Sequence, residues 1–367
     1  MGARARDLVP RVLLTVTEDR VADAKPGDLE AMARAIDAAH RARCVSSPNP
    51  WVGCVIGSPS GELYEGSTRE PGREHAEVVA LQQAGAAARG ATLYVTLEPC
   101  SHHGRTPPCA DAIIDAGITR VVLGVEDPDP LVAGSGIEAL RNAGLEVDVG
   151  LMAHRVEAQL APYFKHRRTG MPYVVLKLAA SLDGGTAAPD GSSQWITSPE
   201  ARADGHRLRA ESDAIVIGAG TVREDDPSLT VRDYRPPLLP ADGSVDPIRV
   251  VLGAAPPDAR VRPCLEMNGD LDKILRELGD QGVVQVLVEG GASVAGAFHR
   301  GGLVDRYVIY LAPALFGGDD MRGLFRGPGV FAVDDLWRGR FLDIERVGPD
   351  LRVEIGPVPD VATEEVA

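Results

Sequence analysis

Aromatic side chains are scarce in this 367-residue chain, at 4%, so its cores must be built mainly from Val, Leu, Ile and Ala. Positive charge is also short. Against 53 Asp and Glu there are 38 Lys and Arg, a net charge of −15. That balance excludes the broad basic footprint of a nucleic-acid-binding surface, but not a small anionic substrate, which needs only a local Arg or Lys cluster. No apolar run reaches the roughly 18 residues that span a bilayer, so no membrane partner is expected. The apolar piece Leu8–Val16 is broken by Pro10 and Arg11 and no small-residue cleavage site follows it directly, so no signal peptide is expected either. Cysteine is sparse and odd in number. Cys44, Cys54, Cys100, Cys109 and Cys264 make no disulfide framework, and a reducing, cytoplasmic compartment fits them. What is present is ordinary for a globular chain, 44% hydrophobic and 25% charged, and long enough for two or three domains.

Against that background the stretch 75–109 carries chemistry. It opens with His75-Ala76-Glu77 and closes with Glu98-Pro99-Cys100-Ser101-His102-His103-Gly104-Arg105-Thr106-Pro107-Pro108-Cys109. One imidazole, His75, and two thiols, Cys100 and Cys109, make a three-ligand zinc set that keeps a fourth position for water. Zinc lowers the pKa of such a water to about 7. Glu77, two residues past the first ligand, is placed to shuttle protons without ligating. This is the H-x-E…P-C pattern of zinc-dependent deaminases, with eight residues between the cysteines where the common form has two. Two plainer readings stand beside it. Cys100 and Cys109 are core thiols and His75 a satisfied core histidine, or the site is a closed structural one with His102 or His103 as fourth ligand. The order of H-A-E opening a helix, then a strand, then Pro-Cys favours the catalytic metal.

Residues 1–27 are an unpatterned extension. Asp28 is placed to cap a helix whose Leu29, Met32, Ala33, Ile36 and Ala39 share a face. Strands are expected at Val52–Ile56, Glu62–Glu65, Thr92–Thr96, Thr119–Val125 and Leu145–Val149. Helices fall at His75–Gln83, Cys109–Ala116 and Ile137–Asn142, the last two ended by Gly117 and Gly144. The alternation gives an α/β domain over 28–150 and brings two helix starts, whose dipoles favour thiolates, to the ligand set. Residues 151–171, basic at Lys165-His166-Arg167-Arg168, read as an exposed linker with part of a helix.

A second α/β series fills 172–358. It has strands at Tyr173–Leu178, Ala214–Ile217, Arg249–Leu252, Val284–Val288 and Arg306–Leu311. A helix is capped by Ser198 with Pro199 at its first position; others fall at Leu271–Leu278 and from Ser293. Residues 359–367 read as an acidic tail. Glu289-Gly290-Gly291-Ala292-Ser293 sits where a strand gives way to a helix, a place where backbone can approach a phosphate. Gly218-Ala219-Gly220-Thr221 is a second such turn. Together they suggest a nucleotide cradle, although glycine there is often plain turn chemistry. Lys177, Arg209, Arg223 and Arg232, taken singly, read as solvated charges, and Asp225-Asp226-Pro227 as a turn.

Taken together, these stretches resemble the bifunctional riboflavin-biosynthesis deaminase–reductase family. In the first half the matching residues are Pro48-Asn49-Pro50-Trp51-Val52-Gly53, His75-Ala76-Glu77 and Thr96-Leu97-Glu98 through Cys109, whose long cysteine spacing is the family's own. In the second they are Lys177 to Gly184, Gln194-Trp195-Ile196-Thr197-Ser198-Pro199, Asp225 to Arg232 and Val288-Glu289-Gly290-Gly291. The resemblance covers about residues 28–357. It implies an α/β chain, a cytidine-deaminase-like α/β/α domain followed by a dihydrofolate-reductase-like α/β domain. The first would remove the 2-amino group of 2,5-diamino-6-(5-phosphoribosylamino)pyrimidin-4-one, with zinc on His75, Cys100 and Cys109 and Glu77 as proton carrier. The second would use NADPH to reduce the ribosyl group to a ribityl chain. By position the resemblance assigns Asn49, His102 and Arg105 to the deaminase substrate, the arginine suiting a phosphate. It assigns Ser193, Arg209, Leu229, Arg232 and Glu289 to the reductase substrate, with Lys177 near the opened ribose. Ala180, Trp195, Thr197, Thr221, Asp225 and the turn Gly291, Ala292, Ser293, Val294, Ala295, Gly296 and Ala297 go to NADPH. It also implies a homo-oligomer.

Two departures weaken particular contacts. The family often has G-x-H where this chain has Gly66-Ser67-Thr68, and Asp-Ser where it has Gly253-Ala254. The rival readings are a nucleoside or tRNA deaminase fused to an unrelated domain, and a non-catalytic relative. The acidic balance and the cysteine spacing oppose the first; the intact ligand set and Glu77 oppose the second in the deaminase half.

Overall fold

The computed structural model describes residues 24–101, 107–129 and 132–358. As the composition requires, the buried clusters are mostly Val, Leu, Ile and Ala.

The first half runs α1 (Asp28–Arg41), β1 (Gly53–Gly57), β2 (Leu63–Ser67), α2 (Ala76–Ala84), β3 (Thr92–Leu97), α3 (Cys109–Asp115), β4 (Arg120–Val125), α4 (Ser135–Asn142), β5 (Glu146–Val149) and α5 (Ala153–Thr169). Its sheet has the order β2-β1-β3-β4-β5. β1 is antiparallel to both neighbours, and β3, β4 and β5 are parallel. Asp28 is not the cap of α1. Gly27 takes that position, and the Asp28 carboxylate is buried instead, held by Arg120 at 2.9 and 2.8 Å and by the Tyr94 hydroxyl at 2.8 Å. Burial alone would raise this carboxyl; Arg120 and Tyr94 hold it at about 2. The helix is thereby pinned to β3 and β4. Leu29, expected on the inner face, is 40% exposed. A Cβ on Gly66 would lie 2.1 Å from the Ala76 carbonyl oxygen. Glycine there lets the start of α2 close onto β2, which sets the height of His75 and Glu77 above the sheet.

The segment 151–171 is not an exposed linker. Most of it is α5, which buries Val156, Leu160, Tyr163 and Phe164. Trp51 donates from Nε1 to the Gln159 carbonyl at 3.2 Å, and Gln159 donates back to Ile36 O at 2.9 Å. The basic run that suggested solvent lies on the last turn, where it suits the helix dipole, and Gly170 ends the helix at φ 70. Lys165 pairs with Asp305 at 2.6 Å, tying α5 to the second half.

That half runs β6 (Tyr173–Ser181), β7 (Gly185–Ala187), α6 (Pro199–Ala210), β8 (Ala214–Gly218), α7 (Ala219–Asp225), β9 (Ile248–Leu252), β10 (Leu265–Met267), α8 (Leu271–Asp280), β11 (Gln285–Val288), α9 (Ala292–Arg300), β12 (Arg306–Ala312), β13 (Arg322–Gly323), β14 (Gly339–Val347) and β15 (Asp350–Pro357). The main sheet has the order β10-β9-β8-β11-β6-β12-β15-β14. It is parallel from β10 to β12 and closed by the antiparallel β14–β15 hairpin. From β8 the chain proceeds through α7 to β9; from β11 it proceeds through α9 to β12, on the other side. The crevice at the carboxyl ends of β8 and β11 is therefore a topological switch point, where ligands bind in open α/β sheets.

Candidate active sites

The first site joins the starts of α2 and α3 to the turn after β3. His75 is the N-cap of α2, Cys109 the first residue of α3, and Cys100 follows β3 by three residues. His75 Nδ1 lies 3.7 Å from Cys100 Sγ and 3.3 Å from Cys109 Sγ, and the three ligand atoms fall within 4.8 Å of one another. A tetrahedral zinc at its usual bond lengths sets nitrogen and sulfur ligands about 3.5 Å apart, so this donor set fits the metal. The Cys109 N–H donates to Cys100 Sγ at 3.4 Å. Hydrogen bonding from Cys109 holds the Cys100 thiol well below its usual range. Glu77 is buried, at 3% exposure, and its Oε2 has no partner. Burial pushes its carboxyl up to about 7. A buried carboxyl beside a metal set, with one oxygen free and a pKa near neutrality, suits a proton carrier.

The second site lies at the switch point. Arg209 of α6 and Glu289, just past β11, form a forked pair at 2.7 and 2.8 Å. Burial would raise Glu289, but Arg209 overrides it and holds the carboxyl at about 2, with help from Lys177. Arg209 also donates to Thr230 O at 3.1 Å. Next to Thr230, buried Leu229 adopts φ 54, an uncommon conformation for a branched side chain and one that clusters at functional sites. The Gly291 N–H donates to Thr221 Oγ1 at 3.1 Å, so the starts of α7 and α9 meet across the crevice. Lys177 lies over the Tyr310 ring at 5.8 Å. Trp195 is 69% exposed and is backed by the Arg202 guanidinium at 4.4 Å.

Sequence comparison matches residues 26–125 to the cytidine and deoxycytidylate deaminase zinc-binding region and residues 172–353 to the RibD C-terminal domain. The Escherichia coli riboflavin biosynthesis protein RibD is 43% identical over 355 residues, 87% of this chain and 96% of that one. The chain belongs to the RibD family. The Mycobacterium tuberculosis (strain H37Rv) RibD is also 43% identical, over 89% of this chain and 96% of its own. Among solved structures, Acinetobacter baumannii RibD superposes with a TM-score of 0.83 at 38% identity, covering 90% of this chain and 99% of that one. A diaminohydroxyphosphoribosylaminopyrimidine deaminase/5-amino-6-(5-phosphoribosylamino)uracil reductase from Thermotoga maritima superposes at 0.79 with 33% identity, over 90% and 99%. As in the rest of the RibD family, the chain carries a deaminase domain followed by a reductase domain, and the first is a zinc-binding one.

Not all the expected site residues meet. His102 and Arg105, and the alternative fourth ligand His103, lie outside the described residues. Asn49 is half-buried on the turn before β1. Ser193 and Thr197 share the loop with Trp195, and Thr197 accepts from Arg202 at 2.7 Å. Asp225 and Arg232 stay exposed, and Ala180 is buried within β6. The stretch 291–297, expected as a turn, is the cap and first turns of α9; within it Ala295 and Gly296 are buried while Gly291 and Ser293 are exposed. Both departures from the RibD pattern have structural accounts. Thr68 is buried, and its hydroxyl accepts from Val52 N at 3.0 Å and donates to Val52 O at 3.3 Å, pinning the 49–53 turn. Gly253 and Ala254 bring no polar side chain to the end of β9, where Ala219 packs close.

Two residues escaped the sequence reading. Glu98, read only as part of a motif, is an anchor described below. His206 of α6 is buried and accepts through Nδ1 from Arg232 N at 3.3 Å, with Nε2 3.6 Å from Asp233. A histidine two residues before Leu208 on an Arg-rich helix gave no signal of that partner.

Proposed function

We propose that this RibD-family chain deaminates 2,5-diamino-6-(5-phosphoribosylamino)pyrimidin-4-one and then reduces the ribosyl group to give 5-amino-6-(5-phosphoribitylamino)uracil. The observation that carries the first step is the unpartnered Glu77 oxygen buried beside His75, Cys100 and Cys109. Zinc, when bound, would supply an acidified water as the nucleophile for the ring carbon that bears the amine. Glu77 Oε2 would carry two protons in turn, one from that water to the ring nitrogen and one from the added hydroxyl to the leaving amine, so that water enters and ammonia leaves. His75 and the two cysteines hold the metal, and Asn49, His102 and Arg105 hold the substrate.

In the second step NADPH supplies the hydride. The Thr221–Gly291 contact and the first turns of α9, Ala292 to Ala297, seat the cofactor, with Ala180, Trp195, Thr197 and Asp225 beside it. Arg209 and Glu289 form a fixed charged wall of the substrate pocket, with Ser193, Leu229 and Arg232 along it. Lys177, a cation electrostatically coupled to Glu289, faces the opened ribose and steadies its oxygen.

The chain works on a small molecule in a reducing compartment. Its five thiols are free, and its charge of −15 opposes a nucleic-acid partner. Among the described residues no helix is long and apolar enough to cross a membrane. The exposed edge strand β14, with Phe341 and Ile344 more than half exposed, supports a homo-oligomer.

The test is direct. The purified chain, given the diaminopyrimidine phosphate, should release ammonia and yield the deaminated product by mass spectrometry. Adding NADPH should convert that product to the ribityl compound. Return of the substrate unchanged, with zinc and NADPH both supplied, excludes this reading.

A further inference from the structure

We propose that Glu98 is a positioning residue that sets the zinc affinity of the deaminase half by fixing the Cys100 turn. This rests on the zinc-deaminase reading above and assigns Glu98 no contact with metal or substrate.

Glu98 stands two residues before Cys100 and is buried at 4% exposure. Its carboxylate points away from the ligand set, into the backbone around the start of α4. Oε1 accepts from Gly136 N at 2.8 Å and Ile137 N at 3.2 Å. Oε2 accepts from Asp127 N at 3.1 Å and Gly134 N at 3.0 Å. Four N–H groups thus converge on one carboxylate, and the helix dipole adds to their pull. The approach is tight, because a Cβ on Gly136 would lie 2.0 Å from the Pro99 carbonyl oxygen. Ser101 and Ser135 hydroxyls, 2.7 Å apart, join the same two segments just past the ligand. On the other flank Ala110 N donates to Cys100 O at 3.1 Å.

The cysteine spacing gives this anchor its purpose. With two intervening residues, one local turn places both sulfurs. With eight, local geometry does not fix Cys100 against Cys109, and an outside hold must do so. Pro99 has its φ fixed by its ring, so the hold on Glu98 passes to Cys100 through a stiff link. Groups behind a metal ligand typically account for about 10–100-fold in metal affinity.

Glu98→Gln keeps the size of the side chain but turns one acceptor oxygen into an NH2 group facing two N–H donors. We expect its zinc dissociation constant, measured by competition with a chromogenic chelator, to rise about 10–100-fold. At saturating cobalt the thiolate-to-metal absorption band should also shift, a change that mere loss of stability does not produce. NADPH oxidation with the deaminated phosphoribosylamino-uracil reports on folding of the other half and should be unchanged. Gly136→Ala, which presses on Pro99 while leaving the carboxylate intact, should weaken zinc binding in the same direction. It decides the matter if Glu98→Gln loses reductase activity as well. Zinc affinity equal to the parent's in the folded variant overturns the proposal. A parent chain that binds no zinc overturns the deaminase reading itself, so the two failures are distinct.

Discussion

The deaminase half presents its chemistry through side chains, and the reductase half presents much of its site through backbone. In the first, His75, Glu77, Cys100 and Cys109 come from three short segments and meet in a mostly buried cluster. In the second, two helix starts meet through a hydroxyl and a backbone N–H, and a charged pair stands beside them. The Trp195 face and Gly291 are open. A metal centre needs particular donor atoms at particular separations, whereas a dinucleotide cradle needs mainly free N–H groups and room for a phosphate. One half should therefore fail sharply when a side chain changes, and the other gradually.

The sharpest break is Glu77→Gln. It should retain zinc and lower ammonia release by about 10²–10⁴-fold, the usual share of positioned proton transfer, while NADPH oxidation on the uracil substrate is untouched. Deamination at the parent's rate would falsify the role given to Glu77.

Arg209→Ala probes a place where the reductase site does depend on a side-chain pair. It leaves Glu289 buried without its cation, a loss of about 3–5 kcal/mol. Denaturant unfolding should show the loss, with ammonia release retained. The same pair has a pH signature. Glu289 has its ordinary value of 4.5 lowered to about 2. Its stabilising contribution is thus whole above about pH 4.5 and fades as pH falls toward 2. A parent-minus-variant stability difference that stays flat across that window contradicts the pairing.

The smallest effect should come from Thr221→Ala, which removes one neutral hydrogen bond worth about 1 kcal/mol. The KM for NADPH should rise roughly five-fold, with kcat nearly unchanged. A larger fall in kcat would mean that Thr221 does more than align the Gly291 turn.

The same contrast decides what could be read before folding. His75, Glu77, Cys100 and Cys109 were legible because their donor atoms and order are the chemistry, and the ends of β8 and β11 were legible from apolar runs meeting glycine. The resemblance to the RibD family extended that reading to Trp195, which spacing alone leaves silent, and gave Thr221 and Glu289, already singled out on the two glycine turns, separate cofactor and substrate roles. Hidden features have partners far along the chain or made of backbone. Arg209 and Glu289 are 80 residues apart. Glu98 bonds four N–H groups, which belong to no residue type. Asp28 looked like a helix cap because Asp usually is one, and only the fold supplies Arg120 and Tyr94. α5 was read only as part of a helix in an exposed linker, because its basic last turn suggested solvent, although Val156, Leu160 and Phe164 recur at helical spacing. β14 escaped because nearly every side chain on it is exposed, so it lacks the alternation that marks a half-buried strand.

The independence of the two sites can be measured in one preparation. The chain is stripped of metal with a chelator and assayed for ammonia release from the diaminopyrimidine phosphate. It is then assayed for NADPH oxidation with the deaminated uracil, before and after zinc is restored. Ammonia release should vanish and return with zinc, while NADPH oxidation stays constant throughout. Ammonia release that survives complete metal removal, or NADPH oxidation that falls and recovers with it, contradicts this account.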